Sequence, residues 1–385
     1  MRFWLVLVSA LLSHPSGLRL PFAPATIGVH GFSSAPRNQR HHPTHSQRRT
    51  RHHRECFRLF DAMPSLYQEQ ERLLVDRGRI ESALMEANGS PLSASVSKGT
   101  GASKGFAASS GTKTKASDLK AAAKIHAKEL RASGVVRIDN VFPDDMADRV
   151  REYVLDLRER SEEQVRSGEV SSIARFADVL LKENRSDLTI PLEDDAVIDA
   201  LLQVLQKTPV GKMMSSMLGK QAGLYELSCL ISDKGSNRQV VHPDTPCKPD
   251  EDAVLYTCFV ALQDIDLSMG PTTWLPNTHT ASAHELFRDD YVGASGKESS
   301  KDKLLRTTPS VLGVLPKGSC AIFDSRLLHC GGANTSDTSR ALFYFSFKNS
   351  NVGYPGNPAS IRPELSSKYT LTSLEAELKQ LQKKK

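Results

Sequence analysis

Between residues 117 and 218 the apolar positions recur at helical spacing. A Ser-Asp pair can cap a first helix over 117–131, and Gly134 can end it. Pro143 suits the first turn of a second helix, because proline lacks the N–H that a helix start leaves unbonded. A third helix is predicted over 196–218. The apolar stripes of the second and third helices indicate core-facing sides and consist of Met146, Val150, Tyr153, Val154 and Leu157, and of Val197, Leu201, Leu205, Met213 and Met217.

After residue 220 the pattern changes to short runs rich in β-branched and aromatic residues. Gly, Pro, Asn and Asp separate these runs, which is typical of strands joined by turns. Helices followed by many short strands predict an α+β domain whose strands close into a sandwich or barrel. The predicted strands are VVRID (135–139), which lies among the helices, and GLYELSCLIS (223–232), AVLYTCFVAL (253–262), GVLPKGSCAIF (313–323) and ALFYFSFK (341–348).

The folded domain is predicted to span residues 118–351. Before it, residues 61–117 are predicted to form a polar helix and then a flexible linker of Ser, Gly, Ala, Thr and Lys, which offers little to bury. After it, the tail 352–385 contains a short charged helix from about Leu371. Inside the domain, the polar stretch 284–310 is predicted to be a loop, either a solvated excursion or a lid.

The basic charge of the chain is confined to its N-terminal end. The formal net charge is +6, but residues 1–54 contain eight Arg and no Lys, Asp or Glu, so subtracting eight leaves −2 for residues 55–385. This remainder has no basic patch with interleaved aromatic residues, which argues against nucleic acid as a partner. Contents of 39% apolar and 24% charged residues are typical of a soluble globular protein.

The first 60 residues have the composition of a targeting sequence. Residues 1–21 form a signal-like segment, in which Arg2 precedes an apolar run too short to span a bilayer. Residues 22–60 carry Arg and Ser and are transit-like. With Phe22-Ala23-Pro24 at the junction, the pair resembles the two-part plastid presequence of algae with secondary plastids. We therefore expect a plastid protein without a stable membrane span in its mature form, with simple secretion as the alternative.

Cysteine usage favours a reducing compartment. The six cysteines include no CxxC pair and no dense framework that would indicate disulfides. Cys258 and Cys320 lie in apolar runs and are predicted to be buried thiols.

A His-Asp pair stands out in the stretch QVVHPDTPCKPD. His242 and Asp244 are two residues apart, and in a strand such residues point to the same side. Both side chains could therefore face one metal ion. An exposed pair at the end of a strand explains the same spacing, so the motif alone leaves both interpretations open.

A second histidine and an arginine follow later in the chain. Between Asp244 and His329 lie 84 residues, and Arg340 comes eleven residues after His329. The turn-rich GGANTSD between the last two predicts that they lie on adjacent antiparallel strands. Two His and one carboxylate are the ligands of non-heme Fe(II) oxygenases, and an Arg can bind a carboxylate through two parallel hydrogen bonds. Taken alone, Arg340 equally fits a surface charge beside a turn.

As a set, these residues resemble the phytanoyl-CoA dioxygenase family of Fe(II)/2-oxoglutarate oxygenases. The resemblance covers roughly residues 118–350. It includes DNVFPDD after the first strand, ALQDIDLSMGPTTWLPNTH at 261–279 and DSRLLHCGGANTS around His329. It implies an α+β fold with a double-stranded β-helix, a jelly-roll or cupin-like barrel, flanked by the N-terminal helices.

The resemblance implies that His242, Asp244 and His329 bind iron and that Arg340 anchors the far carboxylate of 2-oxoglutarate. The implied cofactors are Fe(II), 2-oxoglutarate and O2, with ascorbate as a candidate reductant. Family halogenases lack the carboxylate ligand, so Asp244 implies hydroxylation or a related oxidation. The expected reaction is hydroxylation of an unactivated C–H bond in a small-molecule or lipid-like substrate, with release of succinate and CO2. Other expectations are a cosubstrate contact for Thr257, substrate-pocket positions for Trp274 and Asn334, a structural position for His279, and surface positions for His126 and His284. Simple packing in the core is the alternative for Trp274.

Two other functions fit the same barrel. The three ligands could hold Zn(II) for hydrolysis or isomerisation, and Arg340 and Asn334 would then need another explanation. The chain could also be an inactive binding module, although the intact ligand set argues against it. Release of succinate separates the oxygenase from both. The sequence indicates no oligomeric state.

Overall fold

The computed structural model describes residues 72–85, 89–94, 115–177, 183–289, 298–353 and 360–384. All described residues belong to one compact unit, Ala62–Lys385. The predicted signal-like segment (1–21) and transit-like segment (22–60) lie outside the described residues. No helix in the described part of the chain is long and apolar enough to cross a membrane.

Two β-sheets form the centre of this unit. The described strands are β1 (Gly89–Pro91), β2 (Val135–Ile138), β3 (Phe176–Ala177), β4 (Arg185–Thr189), β5 (Gly223–Ser232), β6 (Leu255–Ala261), β7 (Thr272–Trp274), β8 (Ser310–Leu312), β9 (Cys320–Asp324), β10 (His329–Gly331) and β11 (Arg340–Lys348). The larger sheet has the order β2-β9-β6-β11-β5-β4-β3, and the smaller has the order β1-β8-β7-β10. All pairs are antiparallel except β1 with β8. The five strands predicted from the sequence correspond to β2, β5, β6, β9 and β11.

The larger sheet separates two apolar layers. Along β11 the side chains alternate, because successive residues of a strand point to opposite faces. Phe343, Phe345 and Phe347 pack against the helices, whereas Leu342 and Tyr344 pack in the second layer with residues of both sheets. The helices therefore cover the outside of a two-sheet barrel, and the predicted α+β double-stranded β-helix is confirmed.

Eight helices of the described residues surround the sheets. They are α1 (within 72–85), α2 (Ala116–Ser133), α3 (Asp144–Arg166), α4 (Asp195–Gln206), α5 (Pro209–Leu218), α6 (Ala281–Arg288), α7 (Ser300–Thr307) and α8 (Leu371–Lys383). As predicted, α2 ends at Gly134, which has a φ of 84° and donates its N–H to Leu130 O at 2.8 Å. Glycine suits this left-handed position because it has no Cβ.

The single helix predicted over 196–218 is wrong. The structure has α4 and α5 instead, because Pro209 cannot donate a helical hydrogen bond and its ring clashes with the preceding turn. Thr208 caps the second helix by accepting from Val210 N–H at 3.2 Å. Both helices keep their apolar faces on the core, as the spacing predicted.

Two segments predicted to lack structure contain regular elements. Part of the predicted linker forms β1, which gains backbone hydrogen bonds along β8, and the adjoining Leu92 is buried. Residues 95–114 of that linker lie outside the described residues. The predicted loop at 284–310 contains most of α6 and all of α7, whose apolar residues pack on the smaller sheet. Residues 290–297 between these helices are not described.

The prediction that His126 and His284 lie on the surface is wrong. Each is on the inward face of a helix, and they are 8% and 3% exposed. His284 is satisfied there, because Cys247 N–H donates to its Nδ1 at 3.2 Å and its Nε2 donates to Arg326 O at 2.6 Å. Burial lowers the pKa of His126 to about 4, so that this histidine is a neutral core residue. The predicted burial of Cys258 and Cys320 is correct.

Candidate metal centre

The His-Asp motif lies in an extended segment that pairs with β10. In this bridge the backbone N–H groups of His242 and His329 each donate to the carbonyl of the other, both at 2.9 Å. Pro243 has no N–H, so the pairing stops there and the chain bends at Asp244, whose N–H donates to Ser325 O at 2.8 Å. The expectation of a regular strand through both motif residues is therefore wrong. A bend after the proline, and not strand alternation, sets the direction of Asp244.

The three predicted ligands nevertheless meet at one point. Oδ1 of Asp244 lies 3.9 Å from Nε2 of His242 and 3.6 Å from Nε2 of His329. All three candidate ligand atoms lie within 4.8 Å of one another. Atoms bound to one ion at about 2.1 Å lie roughly 3–4 Å apart, so a small closure would bring these three to a shared metal. His329 is buried and Asp244 is exposed, so the cluster opens to solvent on the carboxylate side.

Both imidazoles are held in the tautomer that offers Nε2 to a metal. Nδ1 of His242 donates to Val240 O, and Nδ1 of His329 donates to Leu327 O, both at 2.8 Å. Because a carbonyl only accepts, Nδ1 carries the proton and Nε2 keeps its lone pair. Burial lowers the pKa of both histidines to about 4, so both are neutral at neutral pH. Two neutral imidazoles and a carboxylate form a donor set that suits Fe(II).

Arg340 is fully buried at the start of β11, but not on a strand adjacent to β10. The two strands belong to different sheets, and residues 332–339 cross between them. The prediction of adjacent antiparallel strands is therefore wrong. The guanidinium donates to Gly270 O and, at 3.1 Å, to Ser232 Oγ, while its Nε has no partner among the described residues. Burial and a neighbouring arginine lower the pKa of Arg340 to about 9, which leaves it charged at neutral pH.

That neighbour, Arg185, was missed in the sequence. Arg185 on β4 and Arg340 on β11 are both paired with Ser232 of β5, so the two arginines flank one residue on the same face. Arg185 donates to Gly332 O at 3.1 Å, yet its Nε and Nη1 have no partner within the described ranges. A Cβ on Gly331 would lie 2.6 Å from that Nη1, so the guanidinium crosses β10 two residues from His329. Two buried cations with unused donors form a site for an anion.

Residues 130–342, more than half of the chain, match the family model described as phytanoyl-CoA dioxygenase (PhyH). The chain belongs to the phytanoyl-CoA dioxygenase family. The predicted dependence of this family member on Fe(II) and 2-oxoglutarate is confirmed. The described donors fit both groups, with the His-Asp-His cluster suited to the metal and the buried arginines suited to a carboxylate. A search of curated proteins found no match.

Several solved structures resemble this phytanoyl-CoA dioxygenase family member. The epimerase SnoN, in complex with Fe3+, alpha ketoglutarate and nogalamycin RO, is 20% identical over 63% of this chain and 88% of its own, with a TM-score of 0.41. AviO1 from Streptomyces viridochromogenes Tue57 is 14% identical over 60% and 96%, with a TM-score of 0.42. HygX from Streptomyces hygroscopicus, with nickel, 2-oxoglutarate and hygromycin B bound, is 13% identical over 58% and 86%, with a TM-score of 0.38.

Two further residues predicted for the site lie on the inner side of the barrel. Trp274 on β7 is directly opposite His329, is 1% exposed and leaves its indole N–H without a partner in the described structure. Thr257 on β6 is equally enclosed, and its hydroxyl also lacks a described partner. Buried donors of this kind are normally satisfied, so both are available to a bound molecule.

Asn334 has a structural role that argues against the expected substrate contact. Its Nδ2 donates to Ser232 O at 2.8 Å and to Thr338 O at 2.9 Å, and its Oδ1 accepts from Ser336. These hydrogen bonds stabilise residues 332–339, which cross between the sheets. They use both the nitrogen and the oxygen of the amide. His279 occupies a structural position, as expected: its Nε2 donates to Arg131 O at 3.2 Å at the end of α2.

A buried glutamate upstream of the family segment supports the metal ligands. Glu81 on α1 is 0% exposed, and its Oε2 accepts from the backbone N–H of Val241 at 2.6 Å, one residue before His242. Its Oε1 is paired with Arg77 at 3.0 Å and with Lys301 at 3.2 Å. Helix α1 thereby ties the motif segment to α7. A lone glutamate in a polar helix carried no sequence signal for this contact.

We expect Glu81→Gln to weaken Fe(II) binding and to lower the free energy of unfolding by about 1–3 kcal/mol, because it removes a buried negative charge that pairs with Arg77 and Lys301 and accepts from Val241 N–H. Anaerobic Fe(II) titration and thermal unfolding measure the two effects. Glu152→Gln, an exposed position on α3, is the matched control and should change neither. Unchanged Fe(II) affinity in Glu81→Gln would show that α1 does not position the motif.

Proposed function

We propose that this protein is a dioxygenase that uses Fe(II) and 2-oxoglutarate to hydroxylate an unactivated C–H bond of a small-molecule or lipid-like substrate, with release of succinate and CO2. The observation that carries the proposal is the meeting of His242, Asp244 and His329 in the chain of a phytanoyl-CoA dioxygenase family member. The presence of a carboxylate ligand favours hydroxylation over halogenation, since a halide needs the position that Asp244 fills.

In this proposal the three ligands occupy one side of the metal. Bound Fe(II) and 2-oxoglutarate together supply the activation of O2. The backbone bonds to Nδ1 fix both imidazoles before the metal arrives, which limits the reorganisation needed on binding. The exposed side of Asp244 leaves a path for the substrate from solvent.

The arginine pair is assigned to the far carboxylate of 2-oxoglutarate. Arg340 and Arg185 have three buried nitrogens between them without a described partner. A carboxylate placed there would satisfy these donors and neutralise charge that is otherwise buried at a cost. A Zn(II) hydrolase of the same barrel would have no use for this anion site, so the arginines favour the oxygenase.

Anaerobic spectroscopy of the full chain with Fe(II) and 2-oxoglutarate tests the function directly. We expect a weak visible charge-transfer band that requires both additions, followed by succinate release when O2 is admitted. The band should be absent in His242→Ala. Tight Zn(II) binding without the band and without succinate would overturn the oxygenase assignment and favour a hydrolase or isomerase.

We also propose that residues 1–60 deliver the enzyme to a plastid. The support is the order of a signal-like and a transit-like segment with Phe22 at their junction. Residues 1–60 fused to a fluorescent protein should accumulate in the plastid of an alga with a secondary plastid, and Phe22→Ala should hold the fusion in the secretory route. Secretion of the unaltered fusion would instead support the alternative of an exported protein.

A further inference from the structure

The inner face of the larger sheet carries a polar row beside the metal ligands. Glu226 of β5 is paired with Ser346 of β11, which is paired with Thr257 of β6, which is paired with Phe323 of β9. Residues at one register position share a face, so all four point into the barrel with Tyr344. The ring centroid of Phe323 lies 5.0 Å from that of His329. The row therefore borders the metal site.

Two carboxylates on this face lack a cationic partner. Glu226 forms no ion pair with any described basic residue. Asp187 of β4 is 5% exposed; its Oδ2 accepts from Tyr344 Oη at 2.8 Å and from Ser360 Oγ at 3.0 Å, while its Oδ1 has no described partner. Burial raises the pKa of Glu226 to about 8 and that of Asp187 to about 6, as expected for carboxylates without a nearby counter-charge.

A buried hydroxyl on the same face of the sheet is also unsatisfied. Thr257 is 2% exposed, and its Oγ1 has no partner in the described chain. It lies one strand from Ser346 and two strands from Glu226 on the same face. Native proteins rarely leave such a group unpaired, so a polar part of a bound molecule is expected at this row. Glu226 is half-buried and Asp244 exposed, which gives such a molecule a way in.

The charges that line the site indicate what kind of polar group would bind there. Arg185 and Arg340 offset the two negative charges of 2-oxoglutarate. Asp244 offsets one of the two positive charges of Fe(II), which leaves one. Asp187 offsets that charge, and Glu226, whose pKa burial raises to about 8, is mostly protonated while no cation lies beside it. A cation bound beside Glu226 would stabilise its ionised form and pair with it, because neither acid has a cationic partner among the described residues.

We propose that the substrate carries an ammonium group, which Glu226 and Asp187 bind beside the metal. This inference rests on the proposed function and adds a substrate class to it. The ammonium donates to Glu226, Asp187 supplies a second negative charge on the same face, and Thr257 is a further polar contact for the substrate. A thioester of an anionic carrier would meet repulsion at the same place.

Three probes matched in carbon number test this assignment on the full chain. Hexylamine, hexan-1-ol and hexanoate have the same carbon chain and differ in charge. Each is titrated anaerobically into the protein loaded with Fe(II) and 2-oxoglutarate, and the shift of the visible band reports binding next to the metal. We expect hexylamine to bind at least roughly tenfold more tightly than hexan-1-ol, as a charge-assisted hydrogen bond allows, and hexanoate not to bind.

Variants separate the carboxylates from general attraction. Glu226→Gln and Asp187→Asn should each weaken hexylamine roughly tenfold while the band itself persists, which also shows that the variants are folded. Glu226→Lys should reverse the preference toward hexanoate. The exposed Glu152→Gln should behave as the unaltered protein.

Failure of the ammonium site and failure of the oxygenase assignment give different results. Equal binding of the alcohol, preference for hexanoate, no shift with hexylamine, or unchanged binding in both carboxylate variants would overturn the ammonium site while an intact band leaves the oxygenase standing. A missing band in the unaltered protein would remove the oxygenase assignment, and the ammonium site with it.

Discussion

Replacing His329 by alanine is expected to abolish Fe(II) binding and succinate formation together. His329 is one of the three proposed ligands, and its Nε2 is 3.6 Å from the carboxylate of Asp244, which completes the proposed set. Removing a hydrogen bond to a ligand typically costs about 10–100-fold in metal affinity, and removing the ligand itself should cost more. Anaerobic Fe(II) titration gives the affinity, and succinate release gives the activity.

The control for this variant is His279→Ala. His279 is also a histidine of the domain, but its ring is hydrogen-bonded to Arg131 O and not to any of the candidate ligands. It should retain Fe(II) binding even if it is somewhat less stable. Thermal unfolding of both apoproteins separates loss of the ligand from loss of the fold. Full Fe(II) affinity in a folded His329→Ala protein would exclude His329 as a ligand.

The second large effect is expected from Arg340→Gln, which should raise the KM for 2-oxoglutarate about 100-fold. Truncating one partner of a buried charged pair costs about 2–5 kcal/mol, and the free energy that corresponds to a 100-fold change in affinity lies within that range. The turnover at saturating 2-oxoglutarate should fall much less, because the metal ligands are intact. Steady-state kinetics with varied 2-oxoglutarate measures both constants.

The stability of Arg340→Gln should move in the opposite direction. Burial beside Arg185 lowers the pKa of Arg340 to about 9, which means that its charge is unfavourable in the protein without cosubstrate. The neutral variant should therefore unfold at an equal or higher temperature. Arg185→Gln should likewise raise the KM for 2-oxoglutarate and unfold at an equal or higher temperature. Substitution of the half-exposed Arg149 by Gln should change neither quantity. A lower unfolding temperature with an unchanged KM would mean that Arg340 is a structural residue.

The barrel strands could be predicted because their buried residues give a clear pattern of apolar positions in the sequence. β5 and β11 are long runs of apolar and aromatic residues, and their residues alternate between two packed faces. His329 and Arg340 were found because they adjoin such runs. The break before α5 could also have been predicted, since Pro209 lies inside the helix predicted over 196–218.

Contacts between the two sheets, or between residues far apart in the chain, could not be predicted from local sequence patterns. Arg185 lies in the short strand RSDLT, whose composition fits an exposed edge, and its partners are 52 and 147 residues away. Glu226 looks like a polar residue on the solvent side of a strand, but the second sheet covers that side. His126 was misjudged because only packing distinguishes a buried from an exposed histidine on an amphipathic helix.

The separations within the metal centre also constrain when it can form during synthesis. Val241 depends on Glu81, 160 residues before it, and His242 is paired with a residue that the ribosome adds 87 positions later. Contacts this distant in sequence form slowly, after the intervening loops have closed. A nascent chain that ends before His329 lacks a ligand and the backbone partner of another. The complete set of candidate ligands can therefore form only after residue 329 has been synthesised.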